Sequence, residues 1–388
     1  MTLDPVSIYE QRLIAEDPPT NRGIPMTTVS VESPLLRMSR ETPTDYWNDS
    51  CDVGELAYAV ERGATGATSN PSIVLDVLKK DPAHWVPRLR ELAADNPAWS
   101  EVELSWALVE QMAARGAAVL QPVFEAHAGR KGRLSVQTNP ANYRDPGRMV
   151  EQAVRFAGLA PNIHVKFPAT AAGIVAIEEA TARGVNTNST VSFTVAQALA
   201  AAEAVERGLD RRAKIGDVAG MTPFVTIMIG RLDDWMKAVI ERDALAVDPG
   251  APNWAGIAVL KRVYGIFRER GYHSHLLAAA TRHPLHWTEL VGGDIAMTLT
   301  HPWQIRFERS GIIPEPRMDR PVDPAILAEL TERVPDFNRA YEPNGLQAAE
   351  FDSYGATIRT LRAFIGSYHD LMAAVRDVML PNSELRVG

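Results

Sequence analysis

From Asp45 onward, short apolar runs alternate with longer segments whose apolar residues recur at helical spacing. The runs read as strands at Tyr46–Asp49, Ala67–Ser69, Leu134–Thr138, His164–Phe167, Val185–Asn188, Val225–Ile229, Leu276–Ala280 and Ile295–Leu299. Strands separated by helices belong to a parallel sheet covered on both faces, either doubly wound or closed into a barrel. A count of eight favours a (β/α)8 TIM barrel. No GxGxxG or GxxxxGK[ST] motif follows an early strand, so a nucleotide-binding sheet lacks its phosphate cradle. The Lys79–Gly132 interval is long enough for inserted helices, and residues 242–254 read as a loop before a helix near 256–270. The pattern predicts three parts: a proline-rich N-terminal arm over 1–42 with a short helix near Ser7–Glu16, the barrel over 43–320, and a helical C-terminal extension over 321–388. In the extension, Leu361, Phe364, Ile365, Tyr368 and Leu371 form a stripe that reads as packing.

One position breaks this pattern. Lys166 interrupts Ile163-His164-Val165-Lys166-Phe167-Pro168, a run that otherwise reads as a strand buried on both faces. An ammonium there loses hydration that apolar neighbours do not replace, so its pKa falls and the neutral amine becomes a nucleophile toward carbonyls. The plain alternative is a lysine at the strand end that reaches solvent or pairs with a carboxylate.

Composition narrows the chemistry. Of 40 basic residues only seven are lysines, the other 33 being arginines that cannot become neutral nucleophiles, and Lys166 alone sits in an apolar strand. The net charge of −8 argues against nucleic acid as a partner, while a few arginines in a pocket would still bind a small phosphorylated molecule. The single cysteine, Cys51, permits no internal disulfide and reads as a packing residue. No stretch approaches a membrane span, and the first residues lack a signal-peptide pattern, so a cytoplasmic location is expected.

In a barrel of this kind the reacting groups lie at the C-terminal ends of the strands. Polar residues gather there: Asn48-Asp49-Ser50, Thr68-Ser69-Asn70-Pro71-Ser72, Gln137-Thr138-Asn139, Lys166, and Asn186-Thr187-Asn188-Ser189-Thr190. Singly, each could be a turn or a helix cap; together they converge on one face. These segments, with Ala169-Thr170, Gly173-Ile174 and Gly230-Arg231-Leu232-Asp233, resemble in order the transaldolase family, Schiff-base enzymes on an α/β barrel. The resemblance spans about residues 45–310. It implies that Lys166 forms an iminium with a ketose and that Asp49 handles the C4 hydroxyl proton during C3–C4 cleavage. It further implies that Thr68, Asn70 and Asn188 hold the dihydroxyacetone unit, that Thr226 stands at a family serine, and that Arg231 and Arg282 bind phosphate. Ala280 stands where a serine is usual. For Arg231 the plain alternative is a helix-start arginine paired with Asp233 or Asp234.

The third strand departs from that pattern. Gln137 occupies the place of a glutamate that activates the catalytic water, and Thr190 resembles the threonine sharing that water. An amide orients water but cannot take its proton. The related fructose 6-phosphate aldolases have glutamine there, with a tyrosine where this chain has Met228. The resemblance thus implies transfer of a dihydroxyacetone unit between sugar phosphates, as in the pentose phosphate pathway, with acceptor-free aldol cleavage as the alternative. It implies no cofactor and no metal, and leaves assembly as a homo-oligomer open. Two rivals remain: a hydrolase with a carbamylated lysine bridging metals beside His273-Ser274-His275, His283 and His286, and a non-catalytic barrel.

Overall fold

The computed structural model describes residues 33–381; the arm's predicted helix near Ser7–Glu16 lies outside them. Helix α1 (Pro34–Glu41) is followed by β1 (Asp45–Asn48), α2 (Val53–Glu61), β2 (Gly66–Thr68) and α3 (Pro71–Lys80). Two inserted helices, α4 (Pro82–Asp95) and α5 (Glu101–Ala126), occupy the long interval before β3 (Arg133–Gln137). Then α6 (Pro146–Ala157), β4 (Ile163–Pro168), α7 (Ala171–Ala182), β5 (Thr187–Thr190), α8 (Val195–Arg212), β6 (Phe224–Ile227) and α9 (Ile229–Arg242) alternate. A 3-10 turn over Ala251–Trp254 fills the expected loop before α10 (Ala255–Arg270), β7 (His275–Ala278), α11 (Leu285–Thr288), β8 (Ile295–Leu299) and α12 (His301–Arg309). The chain ends in α13 (Pro324–Arg333), α14 (Pro335–Tyr341) and α15 (Gly355–Met379).

The eight strands are parallel, pair in sequence order, and close β1 against β8. Closure removes both sheet edges and carries every strand's C-terminal end to one rim. Register places Gln137 beside Lys166 on one side and Asn188 beside it on the other. At the opposite end, Trp47, His164 and Phe224 pack ring against ring, with centroids 4.7–6.0 Å apart. Burial holds His164 neutral, well below the usual histidine range, and its Nε2 contacts Thr222 Oγ1 at 3.1 Å.

Strand boundaries shift where hydrogen bonding competes with hydropathy. Val185 reads as a strand start, but its N–H donates to Ala180 O and closes the end of α7, so β5 is the polar run Thr187-Asn188-Ser189-Thr190. Met228 accepts the Leu232 N–H and opens α9, so β6 stops at Ile227 instead of Ile229. Ala280 has a left-handed φ of 67° and lies beyond β7, which ends at Ala278. β1 ends at Asn48, although Asp49 N–H still donates to Leu299 O.

The helices that follow β2 and β4 start at side-chain caps. Asn70 Oδ1 accepts the Ile73 N–H at 3.0 Å, with Pro71 preset for the first helical position. Thr170 Oγ1 accepts the Gly173 N–H at 3.0 Å. α15 lies across α3, α4 and α5, burying Leu361, Phe364, Tyr368 and Leu371, and Trp106 Nε1 donates to Tyr368 OH at 3.2 Å. Among the described residues no helix is long and apolar enough to cross a membrane.

Gly173 sits where α7 docks on the end of β4, and a Cβ there would lie 1.7 Å from Pro168 O. Glycine to alanine inside a helix ordinarily stabilises by up to about 1 kcal/mol. Here the sign should invert: Gly173→Ala should cost on the order of 1–3 kcal/mol, seen as a lowered denaturation midpoint.

Candidate active site

Lys166 lies on β4, 6% exposed, and lines a cavity of about 120 Å³ at the C-terminal rim. Burial pulls its pKa down to about 8, with Asp49 opposing the shift and the Arg231 cation adding to it. Nζ donates to Ser69 O at 3.3 Å. A useful fraction of the amine is therefore neutral near pH 8, which a solvated lysine does not offer.

Asp49, just beyond β1, reaches the same cavity. Its Oδ1 accepts from Thr68 Oγ1 at 2.6 Å, and Thr68 Oγ1 is also 2.6 Å from Thr298 Oγ1. Thr68 has one hydroxyl hydrogen and spends it on Asp49, so Thr298 is the donor in the second contact. The relay from β8 through β2 fixes one carboxylate oxygen. Thr298 was missed by sequence reasoning; its signal is a hydroxyl near the end of an otherwise apolar strand.

Asn70, Thr190, Thr226, Arg231 and Arg282 also line the cavity. Gln137 and Asn188 do not, although both flank Lys166 in the sheet. Asn188 is occupied inside the barrel: Nδ2 donates to Ser135 Oγ at 3.0 Å, and Oδ1 accepts from Thr226 Oγ1 at 2.7 Å. Gln137 Oε1 is buried with no protein partner among the described residues. Met228 lines the cavity as an apolar surface.

Arg231 pairs with neither Asp233 nor Asp234. Its guanidinium stands over the Phe364 ring at 5.0 Å, and burial lowers its pKa, with Arg282 nearby adding to the effect. Asp234 instead binds Arg282 Nε at 3.0 Å. Phe364 thus lines the cavity and contacts an arginine, beyond the packing role its stripe suggested. The two guanidinium groups face one rim of the site, opposite in charge to a phosphate.

Cys51 is buried and its thiol is pushed up to about 11, chiefly by burial, which suits packing rather than nucleophilic attack. His273 pairs with Glu206 at 2.7 Å before β7, at the end of the barrel away from Lys166. His283, His286 and Asp233 bring three possible metal-ligand atoms within 4.8 Å of one another. However, His286 Nδ1 accepts the Arg282 N–H at 3.1 Å, so Nε2 carries the hydrogen and donates to Asp233 Oδ2 at 2.8 Å. Binding a metal through Nε2 would turn Nδ1–H against that N–H.

Residues 46–334 match the sequence profile described as transaldolase/fructose-6-phosphate aldolase. The chain belongs to this family. It is 30% identical over 342 residues to a transaldolase of Thiobacillus denitrificans, covering 83% of this chain and 92% of that protein. Similarity to a transaldolase of Thermobifida fusca is 34% over 211 residues, covering 52% of this chain and 56% of the relative. A probable transaldolase of Moorella thermoacetica is 35% identical over 150 residues, covering 38% and 54% respectively.

The lysine's burial carries a stability cost with a defined pH window. Lowering its pKa from 10.5 to about 8 means the unfolded chain binds more protons between those values, so wild-type stability should rise with pH there. Lys166→Met should be the more stable protein below pH 8. Its advantage should shrink by roughly 3 kcal/mol as pH rises to 10.5, measured by denaturant unfolding across that range.

Proposed function

We propose that this protein transfers a dihydroxyacetone unit from a ketose phosphate to an aldose phosphate through a Schiff base on Lys166. The observation that carries the reading is a buried lysine with its pKa near 8, opening into a cavity that also holds Asp49 and two arginines. Neutral Nζ adds to the ketose C2 carbonyl, and loss of water gives the iminium. Asp49 takes the C4 hydroxyl proton as the C3–C4 bond breaks, the aldose leaves as an aldehyde, and the bond's electron pair passes into the enamine. The acceptor aldehyde then recaptures that pair as the new C–C bond forms and Asp49 returns the proton. Water adds back to the iminium and releases the product ketose from Lys166.

Asp49 suits the proton step because Thr68 holds only one of its oxygens. Thr226 orders Asn188 behind the site, while Thr68, Asn70 and Thr190 contribute to the cavity wall where the dihydroxyacetone hydroxyls would sit. Gln137 Oε1 supplies a buried acceptor beside Lys166 that can orient the water shared with Thr190 without taking its proton. That amide is the observation favouring the second reading, aldol cleavage without an acceptor. Met228 favours transfer, since it places no hydroxyl at that point of the cavity wall.

Borohydride reduction with fructose 6-phosphate should leave a three-carbon adduct on the Lys166 peptide in mass spectrometry. Product analysis should show a new ketose phosphate only when an aldose phosphate is present. Free dihydroxyacetone accumulating without acceptor would favour cleavage, and an unlabelled Lys166 with retained turnover would overturn the Schiff base.

Arg231→Ala and Arg282→Ala should each remove a charge-assisted contact worth about 1.5–3 kcal/mol. Steady-state kinetics should show this chiefly as a raised KM for phosphorylated ketoses. Dihydroxyacetone as donor should be nearly unaffected.

A further inference from the structure

Asp233 is a fully buried carboxylate outside the cavity lining, held on three sides. Oδ1 accepts the Gly256 N–H from the start of α10 at 2.8 Å, and Oδ2 accepts from His286 Nε2 at 2.8 Å and His283 Nε2 at 3.0 Å. Burial alone would raise its pKa, but these donors outweigh that effect and keep it below the usual aspartate range. A carboxylate so placed costs much desolvation unless every lone pair is used. It serves neither the proton chemistry nor the substrate contacts above.

We infer that Asp233, His283 and His286 are positioning residues that set the spacing of Arg231 and Arg282; this rests on the phosphate-site reading above. Arg231 lies on α9 two residues before Asp233, whereas Arg282 and His283 lie on the segment between β7 and α11, and His286 lies in α11 itself. The cluster therefore ties the two arginine-bearing segments together. The tie reaches Arg282 through its backbone, because His286 Nδ1 accepts the Arg282 N–H at 3.1 Å. The same segment presses on the start of α9: Ala280 adopts its left-handed φ there, and a Cβ on Gly230 would lie 1.8 Å from Ala280 O.

Such a tie is needed because the two guanidinium groups repel in a partly desolvated rim, an effect visible in the lowered Arg231 pKa, to which burial contributes most and Arg282 next. Without a bound anion that repulsion would splay the segments. A buried cluster away from the cavity, joined by hydrogen bonds from both histidines to Asp233, holds them ready for phosphate and lowers the reorganisation needed on binding.

Two substitutions at His286 separate the tie to Arg282 from the tie to Asp233. Asparagine places its carbonyl oxygen near Nδ1 and keeps an acceptor for the Arg282 N–H; glutamine places its amide near Nε2 and keeps only the donor to Asp233. His286→Gln should raise KM for fructose 6-phosphate about fivefold to tenfold with kcat nearly constant. His286→Asn should stay within about twofold, because His283 still holds Asp233 to this segment while the Arg282 N–H keeps its acceptor, and turnover of unphosphorylated dihydroxyacetone should be unchanged in both. On the wild-type protein, 15N shifts should show His286 protonated at Nε2 and not at Nδ1. The inference is overturned by Nδ1 protonation, by equal KM effects of the two variants, or by equal losses with phosphorylated and unphosphorylated donors. If Arg231→Ala and Arg282→Ala raise KM while His286→Gln does not, positioning alone is refuted. If the arginine variants leave KM unchanged, the phosphate site falls, and the positioning role with it.

Discussion

The structure depends on one constraint, a lysine kept inside a closed parallel barrel. A strand buried on both faces offers no water to an ammonium, so Lys166 retains its charge only at a cost, and its pKa settles near 8. The barrel tolerates that cost because closure places the residue where its amine opens into a cavity at the rim. The property that weakens the fold is the one that makes the amine reactive.

Around that amine the interior is organised by hydroxyl and amide side chains rather than by apolar packing alone. Thr298 orders Thr68, which orders Asp49; Thr226 orders Asn188, which in turn reaches Ser135. Thr68–Asp49 and Thr226–Asn188 join adjacent strands, whereas Thr298–Thr68 and Asn188–Ser135 reach across the barrel interior over one intervening strand, so strand register sets the orientation of these groups. In a low-dielectric interior such networks are stiff when satisfied and costly when broken. They hold the carboxylate in place while leaving one of its oxygens to face the cavity chemistry.

The charged rim is governed by different physics. Two arginines meet near Phe364 of the C-terminal helix, which covers one guanidinium with an aromatic face. Their mutual repulsion is held in check by Asp234 on the outside and by the buried Asp233 cluster behind. The buried amine and the paired guanidinium groups are thus built by separate supports, one within the barrel and one between its surrounding helices.

The sequence by itself determined the eight-stranded α/β class, the inserted helices after Lys80, and the anomaly of Lys166, because alternation of short apolar and longer periodic segments is a local property. It also placed Asp49, Thr68, Asn70, Thr190, Thr226, Arg231 and Arg282 near strand ends, where barrel geometry gathers side chains. Local reading failed where long-range hydrogen bonds decide: Val185 closes a helix, and the polar run from Thr187 to Thr190 forms a strand because neighbouring strands accept it. Only the tertiary structure decided that Asn188 and Gln137 fall outside the cavity lining, that Thr298 and Phe364 join it, and that Asp233 binds two histidines instead of an arginine. Those outcomes depend on residues far apart in the chain, such as Asp233 and His283, 50 positions apart, and Thr68 and Thr298, 230 apart, whose meeting follows from barrel closure and helix packing and leaves no periodic trace in sequence.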